Sequence, residues 1–487
     1  MSSQLAQTTG AYARSYYITF IVVLMACLSP FKELGFSVPF IAIAVFVIVS
    51  RSGLVFQRFF LTFACLIVIT AVYTLIYTLQ GVNFNVSNAI LSYLHYGSFL
   101  FLLIVPTPGF TGEYSYLKYA RVISLVVLLE GCWGVVQRLL ATAMLGRFAS
   151  GDYVQGSISP FSPAITNLGF GNQMYAVNMV FFLLFLLPYA LVYRKGVPAI
   201  LIGLVSLILA SVGHVFYSLL FGTAVALVFF SFGSIVRNFK LIFFSTLAFT
   251  LIVSALTVFD PVVVSDASRQ ATMFFSGSSP KSEAIRVAIR EVPKQYPTIY
   301  AVGLGPGQYS SRAGMIASAT YGSLSAFFYR IPALNVGMTE PFRKFVLESW
   351  KKVNADIETY GHSTMYRPFF SLLSLYTEFG LVFCALLLGV VFNKLSRSKR
   401  TYLHYTRVGG AAKPDQNLLK YSAFACAASI LFLILIGVYE NYFETPQAIL
   451  PGLMLTGLLG KQSLSEAAVS NGQTIRQEND KETWVVA

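Results

Sequence analysis

The sequence predicts an all-α integral membrane protein, and three observations support this fold class. Hydrophobic residues make up 56% of the 487-residue chain and charged residues only 11%, whereas soluble proteins carry about 25% charged residues. The apolar residues are grouped in blocks long enough to cross a bilayer, which takes about 20 helical residues. Because backbone polar groups in lipid must be satisfied within the segment, these blocks are expected to be helices.

Twelve apolar blocks are candidate transmembrane helices. They cover residues 16–34, 36–50, 58–80, 89–106, 119–143, 172–192, 197–212, 214–233, 240–259, 368–393, 419–438 and 445–460. The first block lacks a small-residue cleavage pattern, so we interpret it as a first span and not as a signal peptide.

The blocks divide the chain into four regions. Residues 1–259 hold transmembrane helices 1–9, 260–367 form one large polar loop, and 368–460 hold helices 10–12. The tail over 461–487 is polar and is predicted to be disordered.

Lysine and arginine predict the orientation of the helices, because cytoplasmic loops carry an excess of both. With twelve spans, the short basic loops all fall on the cytoplasmic side together with both termini. These loops contain Arg51, Arg58, Lys118, Arg121, Arg194, Lys195, Arg237, Lys240 and the basic stretch 394–420. The 260–367 loop then faces outward. It holds twelve Lys/Arg against eight Asp/Glu, which indicates an anionic ligand.

Several classes of function are disfavoured. The basic residues are scattered over many short loops and form no stripe for nucleic acid. The four histidines show no metal-ligand spacing, so we expect no metal and no cofactor. All five cysteines lie in apolar blocks, so disulfides are not expected.

Two helices are predicted in the large loop. A turn over 276–280 leads into a basic helix over 281–293, and 341–359 has the spacing of an amphipathic helix. The second helix either packs on the core of the loop or lies on the outer membrane face.

The basic helix has two interpretations. Arg286 and Arg290 are four residues apart and share a face, with Lys281 about one and a half turns earlier. Arginine matches phosphate oxygens with a planar fork. The alternative is a solvated charged face, with Glu283 and Glu291 as partners.

A glycine-rich turn follows that helix. Gly303, Gly305 and Gly307 lack the strand and helix that flank a nucleotide-binding motif. We therefore predict a tight turn that fixes the preceding helix against the membrane.

The end of the loop carries the best candidate for proton transfer. His362 is the only histidine of the loop, and Tyr366 and Arg367 follow it at the mouth of a span. Glu378 lies within that span, where an ionisable residue is a functional candidate; the alternative is a carboxyl hydrogen-bonded to a neighbouring helix. Other ionisable residues inside spans are Glu130, Arg138 and His214.

Taken together, these motifs resemble the O-antigen polymerase and ligase superfamily. The resemblance rests on the basic helix, Pro297, the stretch 303–309 (GLGPGQY), 361–366 (GHSTMY) and 376–381 (YTEFGL). It covers the large loop, the span after it and the number of helices.

The resemblance implies a fold and an activity. The fold would be GT-C-like, and the enzyme a metal-independent glycosyltransferase of the bacterial inner membrane with its active site facing the periplasm. The donor would be a glycan on undecaprenyl diphosphate, whose charge arginines stabilise. The position of His362 matches the family's base on the acceptor hydroxyl. A chain-length regulator and a flippase would be its protein partners.

The chain departs from the family pattern at three positions. Lys281 or Ser282 stands where the family's helix opens with arginine, so Arg286 and Arg290 are expected to hold the diphosphate, with Lys281 or His214 assisting. His214 stands where a second arginine is expected, and Ser363 replaces the asparagine after the loop histidine.

The sequence leaves three activities open. A polymerase moves the growing glycan onto the next lipid-linked repeat unit, whereas a ligase of the same family attaches it to lipid A–core, as in lipopolysaccharide. A transporter of such lipids is the alternative from another class. The chain shows one asymmetric outer loop in place of the paired repeats typical of transporters.

Overall fold

The computed structural model describes residues 2–30, 35–108, 113–145, 153–161, 171–231, 261–318, 336–355, 367–407 and 414–461, together with Ser254. Throughout these ranges the chain is helical and contains no strand. The all-α prediction is confirmed for this part of the chain. The predicted span 240–259 and the tail after 461 lie outside the described residues.

The first half of the chain forms nine described helices. They are α1 (Ser2–Cys27), α2 (Val38–Ser50), α3 (Gly53–Leu79), α4 (Val86–His95), α5 (Gly97–Ile104), α6 (Glu113–Leu145), α7 (Gly171–Tyr193), α8 (Val197–Leu209) and α9 (Gly213–Ser231).

The second half adds seven more. They are α10 (Pro261–Phe275), α11 (Pro280–Arg286), α12 (Arg312–Ala317), α13 (Leu347–Ala355), α14 (Ser371–Arg407), α15 (Pro414–Tyr439) and α16 (446–461).

These helices agree with the sequence prediction in position but only partly in length. Eleven of the twelve predicted blocks coincide with a described helix or, for 89–106, with the pair α4 and α5. Within the described residues, six helices are long and apolar enough to cross a bilayer, or seven if the pair, which is bent by 68°, counts as one span. The protein is therefore membrane-embedded, and a total of twelve spans stays a prediction.

Helices α7 and α15 form the centre of the bundle. Nearly every side chain of α7 is buried, and α15 packs against α7, α9 and α14. By contrast, α3 buries few side chains although it is strongly apolar. An apolar helix that the protein does not cover is stable where lipid surrounds it.

The large loop has its own hydrophobic core. Helix α11 continues through a π-helical turn (Val287–Glu291) and a last turn (Val292–Gln295), so the helix predicted over 281–293 is confirmed. Its Ala284, Ala288 and Val292 pack against Phe342 and Val346, which belong to the π-helical turn (Phe342–Val346) before α13. The amphipathic helix thus packs on the loop core, as in the first alternative.

Candidate functional site

The glycine-rich turn is held by the carboxylate of Glu378. This carboxylate accepts backbone N–H hydrogen bonds from Gly307 at 2.7 Å, Tyr309 at 3.1 Å and Ser311 at 3.0 Å. Glu378 is completely buried, and three donors satisfy a buried carboxylate. The sequence leaves open a carboxyl hydrogen-bonded to a neighbouring helix. In the structure, the partner of Glu378 is the glycine-rich turn instead.

The turn and α14 also meet through their backbones. Helix α14 is interrupted at Gly380, where φ is 79° and ψ is 177°. The N–H of Leu304 donates to the carbonyl of Thr377 at 2.7 Å, and that of Gly305 donates to Glu378 at 2.9 Å. A Cβ atom at Gly303 would lie 2.4 Å from the carbonyl of Glu378. The chain makes a tight turn at these glycines, which permit this close approach.

A second carboxylate fixes the end of the same loop. Glu444 accepts a hydrogen bond from the backbone N–H of Arg312, the first residue of α12, and one of 3.1 Å from the hydroxyl of Tyr96. Burial, and next the charge of Glu378, raise the pKa of Glu444 to about 8. This carboxyl is therefore mostly protonated at neutral pH.

A polar cleft lies at the linker between α15 and α16, which comprises residues 440–445. The residues that line it are Gln173, Met174, Arg312, Glu440, Asn441, Tyr442 and Thr445. Thr445 accepts a hydrogen bond of 2.9 Å from the guanidinium of Arg312. The arginine side chain is thus held in the cleft wall.

Lys281 lies next to this cleft and is buried. Its ammonium donates to the carbonyl of Tyr439 at 2.6 Å and to that of Arg367 at 2.8 Å, and lies 5.3 Å from the ring centre of Phe370. An ammonium has three N–H donors, so one N–H remains beyond these two bonds. Burial lowers the pKa of Lys281 to about 7, against an opposing effect of Glu440.

Glu440 pairs with the loop through one oxygen only. Its Oε1 accepts from Arg367 at 2.8 Å, and its backbone carbonyl accepts from the hydroxyl of Ser371 at 3.1 Å. Its Oε2 is buried and has no protein partner among the described residues. The amide oxygen of Asn441 is likewise buried and has no protein partner among the described residues. The amide nitrogen of the same side chain donates to the carbonyl of Ser310 at 3.1 Å.

His214 also contacts this linker. Its Nε2 is 2.6 Å from the hydroxyl of Tyr442, a residue of the cleft wall. The ring centres of His214 and Tyr439 are 5.4 Å apart. The structure therefore brings His214 and Lys281, two of the predicted diphosphate ligands, to the same short segment.

The charges around the cleft favour an anion. Lys281, Arg312 and Arg367 all act on Glu440 electrostatically. The second carboxyl, Glu444, is mostly neutral because of its raised pKa. The guanidinium groups of Arg312 and Arg367 and the partly charged ammonium of Lys281 thus face the carboxyl of Glu440, in surroundings where burial strengthens electrostatic interactions.

The two predicted arginines of α11 do not line this cleft. Arg286 is 49% exposed and pairs with Glu283 at 2.8 Å and Glu291 at 3.7 Å, and Arg290 is exposed. Glu283 and Glu291 are the partners expected if the helix presents a solvated charged face. A role for either arginine in diphosphate binding stays a prediction.

The remaining predicted residues divide into three groups. His362 and Tyr366 lie outside the described residues. Arg367 lies beside the cleft, where it pairs with Glu440. Glu130 is engaged elsewhere, since its carboxylate accepts from the backbone N–H of Ser157 at 2.9 Å. Across the described ranges, no group of three His, Cys, Asp or Glu side chains could hold a metal ion.

Sequence reasoning missed three residues of the site, namely Arg312, Glu440 and Glu444. The signal for the two glutamates was present. They are four residues apart in the only polar break between two apolar blocks at the C-terminal end of the chain. Ionisable residues at spans are functional candidates. The two glutamates lie outside the 260–367 loop, which holds most of the predicted site residues.

The fold and the site define a multi-helix membrane protein with a cationic cleft between helix ends. In comparisons of this chain with protein-family models, curated proteins and solved structures, none of the three finds a match.

Proposed function

We propose that the protein is a GT-C-like polysaccharide polymerase of the bacterial inner membrane. It transfers a growing glycan from one undecaprenyl diphosphate to the next lipid-linked repeat unit. The proposal combines the resemblance of the loop motifs to O-antigen polymerases with the chemistry of the cleft.

The observation that carries the proposal is the group of basic side chains at the cleft, of which Lys281 is buried and Arg312 and Arg367 are partly buried. Arg312 lies in its wall and Lys281 beside Glu440. A guanidinium offers phosphate oxygens two parallel N–H donors, and an ammonium acts on them as a point charge. When the glycosidic bond to the diphosphate breaks, these cations stabilise the negative charge of the leaving group.

The position of the cleft suits a substrate that is half lipid. The linker that forms it joins the ends of two apolar helices, α15 and α16. A polyprenyl chain can therefore stay in the bilayer while its diphosphate enters the cleft. The sugars then extend from the cleft toward water.

The test uses purified protein in liposomes with single-repeat lipid from a strain that lacks the gene. Wild-type protein is expected to produce a ladder of longer lipid-linked glycans. Arg312→Gln should lose at least about 100-fold in turnover, the range typical of removing one stabilising donor. Lys294→Gln is the matched control, because Lys294 belongs to the same loop but its side chain is 69% exposed.

Two further results decide between the alternatives. A deletion strain that accumulates single-repeat capped lipid supports a polymerase, and one that accumulates free polymer on undecaprenyl diphosphate supports a ligase. Arg286→Gln and Arg290→Gln, measured in the same liposomes, test the diphosphate role predicted for α11. A wild-type protein that moves single-repeat lipid across the bilayer without lengthening it would contradict both enzymes.

A further inference from the structure

The linker between α15 and α16 contains two buried oxygen atoms that have no protein partner in the described part of the chain. They are Oε2 of Glu440 and Oδ1 of Asn441. Both residues are only 6% exposed, and both line the cleft. A buried acceptor without a hydrogen bond costs about 1–3 kcal/mol, and more when it is charged. Two such atoms on adjacent residues indicate a place for a ligand that donates hydrogen bonds.

The surrounding contacts fix both side chains in these orientations. Oε1 of Glu440 is held by Arg367 at 2.8 Å, which leaves Oε2 as the other end of the carboxylate. The amide nitrogen of Asn441 is held by the carbonyl of Ser310 at 3.1 Å, so its oxygen is the opposite end of the amide. The amide of Asn441 therefore cannot flip without breaking a hydrogen bond, and Oε2 of Glu440 is an acceptor whenever the carboxyl is ionised.

A ligand at these two oxygens must be a donor. Diphosphate oxygens are acceptors only and belong at the cations of Arg312 and Lys281. Sugar hydroxyls donate, and a glycan acceptor presents a row of them. The cleft thus has one part suited to the leaving group and another suited to the attacking group.

We propose that Glu440, with Asn441 beside it, binds the attacking hydroxyl of the acceptor glycan and takes its proton. This inference rests on the proposed glycosyl transfer. The hydroxyl oxygen forms a bond to the anomeric carbon of the donor sugar, and the bond from that carbon to the diphosphate oxygen breaks. The polyprenyl diphosphate leaves with the electron pair, and the hydroxyl proton passes to Oε2 of Glu440.

The surroundings of Glu440 support its action as a base. Burial raises the pKa of its carboxyl, and Arg367, Lys281 and Arg312 act in the opposite direction. A higher pKa makes the carboxylate a better proton acceptor. The three basic groups favour the ionised form that a base needs.

The test measures turnover of purified protein in liposomes between about pH 5 and 9, in parallel with binding of sugar-free undecaprenyl diphosphate. Glu440→Gln should lower kcat roughly 10²–10⁴-fold, the range typical of losing a general base, and leave binding of this probe within about threefold. It should also abolish the fall of activity on the acid side. Glu348→Gln, an exposed carboxylate of the same loop, should keep wild-type values.

A second variant separates catalysis from a structural role. Arg367→Gln removes the cation that lowers the pKa of Glu440, so the acid limb of the pH profile should move to higher pH while activity on the alkaline plateau persists. If Glu440 served only to hold Arg367, the two variants would lose activity equally and keep the same profile. Should Glu440→Gln fail to fold, the shift in Arg367→Gln decides alone.

The outcomes also separate this inference from the function on which it rests. Absence of glycan lengthening by wild-type protein that binds the probe contradicts the polymerase. Normal wild-type activity with an unchanged acid limb in Glu440→Gln, and loss of that limb in His362→Gln, contradicts the role of Glu440 and assigns the proton to His362.

Discussion

The carboxylate of Glu378 lies 2.7 Å from the backbone nitrogen of Gly307, and this hydrogen bond joins two motifs that are far apart in the sequence. The glycine-rich turn and the YTEFGL segment are therefore one structural unit. Arg312, five residues after Gly307, reaches the cleft because this unit fixes the start of α12.

Removing the Glu378 carboxylate should destabilise the protein. Glu378→Ala leaves the N–H groups of Gly307, Tyr309 and Ser311 without their acceptor, at about 1–3 kcal/mol each when they stay buried. We expect a loss of at least about 3 kcal/mol, measured as a lower unfolding temperature in detergent. Glu348→Ala, at an exposed position, should melt like wild type, and equal melting of the two variants would contradict the role of Glu378.

Gly303 and Gly277 form a matched pair for the close approach of the turn to α14. Both have positive φ, 79° and 76°, but a Cβ at Gly303 would meet the backbone of Glu378 whereas a Cβ at Gly277 meets nothing within 4 Å. Gly277→Ala should cost only the left-handed strain of roughly 1–2 kcal/mol. Gly303→Ala should unfold the loop, seen as rapid proteolysis. Equal sensitivity of both variants would show that strain alone matters.

Donor binding should consume a proton at alkaline pH. The pKa of Lys281 is lowered to about 7 by burial, so at pH 8 most molecules carry a neutral amine. A bound diphosphate favours the charged form and raises this pKa. Calorimetry with undecaprenyl diphosphate in two buffers of different ionisation enthalpy should show proton uptake. Lys281→Met should abolish the uptake and Lys294→Met should retain it. A buffer-independent heat in wild type would contradict the prediction.

Glu444 should make the protein less stable as pH rises from about 4.5 to 8. Its pKa is raised from 4.5 to about 8 in the folded state, so the folded protein binds more protons than the unfolded chain in this window. The stability that this group contributes is present at low pH and is lost as pH approaches 8. Glu444→Gln should flatten this slope in unfolding experiments at pH 5 and pH 9. An unchanged slope would show that Glu444 titrates normally.

The 260–367 loop should be accessible from outside the cell membrane. Ser278 is exposed in the turn before α11, whereas Ser310 is completely buried and unsuitable as a probe. In a chain with its five cysteines replaced, Ser278→Cys should react with an impermeant maleimide in intact spheroplasts. Reaction only after the membrane is permeabilised would overturn the predicted orientation.

The helices could be predicted from the sequence because each one depends on local hydrophobicity. The buried face of α11 could also have been found, since Lys281, Ala284 and Ala288 follow helical spacing and place Arg286 on the opposite side. The break at Gly380 could not, because it depends on the backbone of residues 301–305 lying against it. Glu440 and Arg312 come together only through the folded loop, and their spacing in the sequence carries no signal of that contact.

The residues that meet around the cleft are far apart in the sequence, and this has a consequence for biosynthesis. Lys281 is 158 residues away from Tyr439, whose carbonyl it contacts, and Arg312 is 132 residues away from Glu444. The cleft therefore does not exist on a nascent chain that has completed its large loop but still lacks the final helical hairpin. Until α15 and α16 are made, the basic residues of the loop lack the glutamates that lie beside them in the folded protein. A ribosome-stalled or truncated chain would be integrated into the membrane without the cleft.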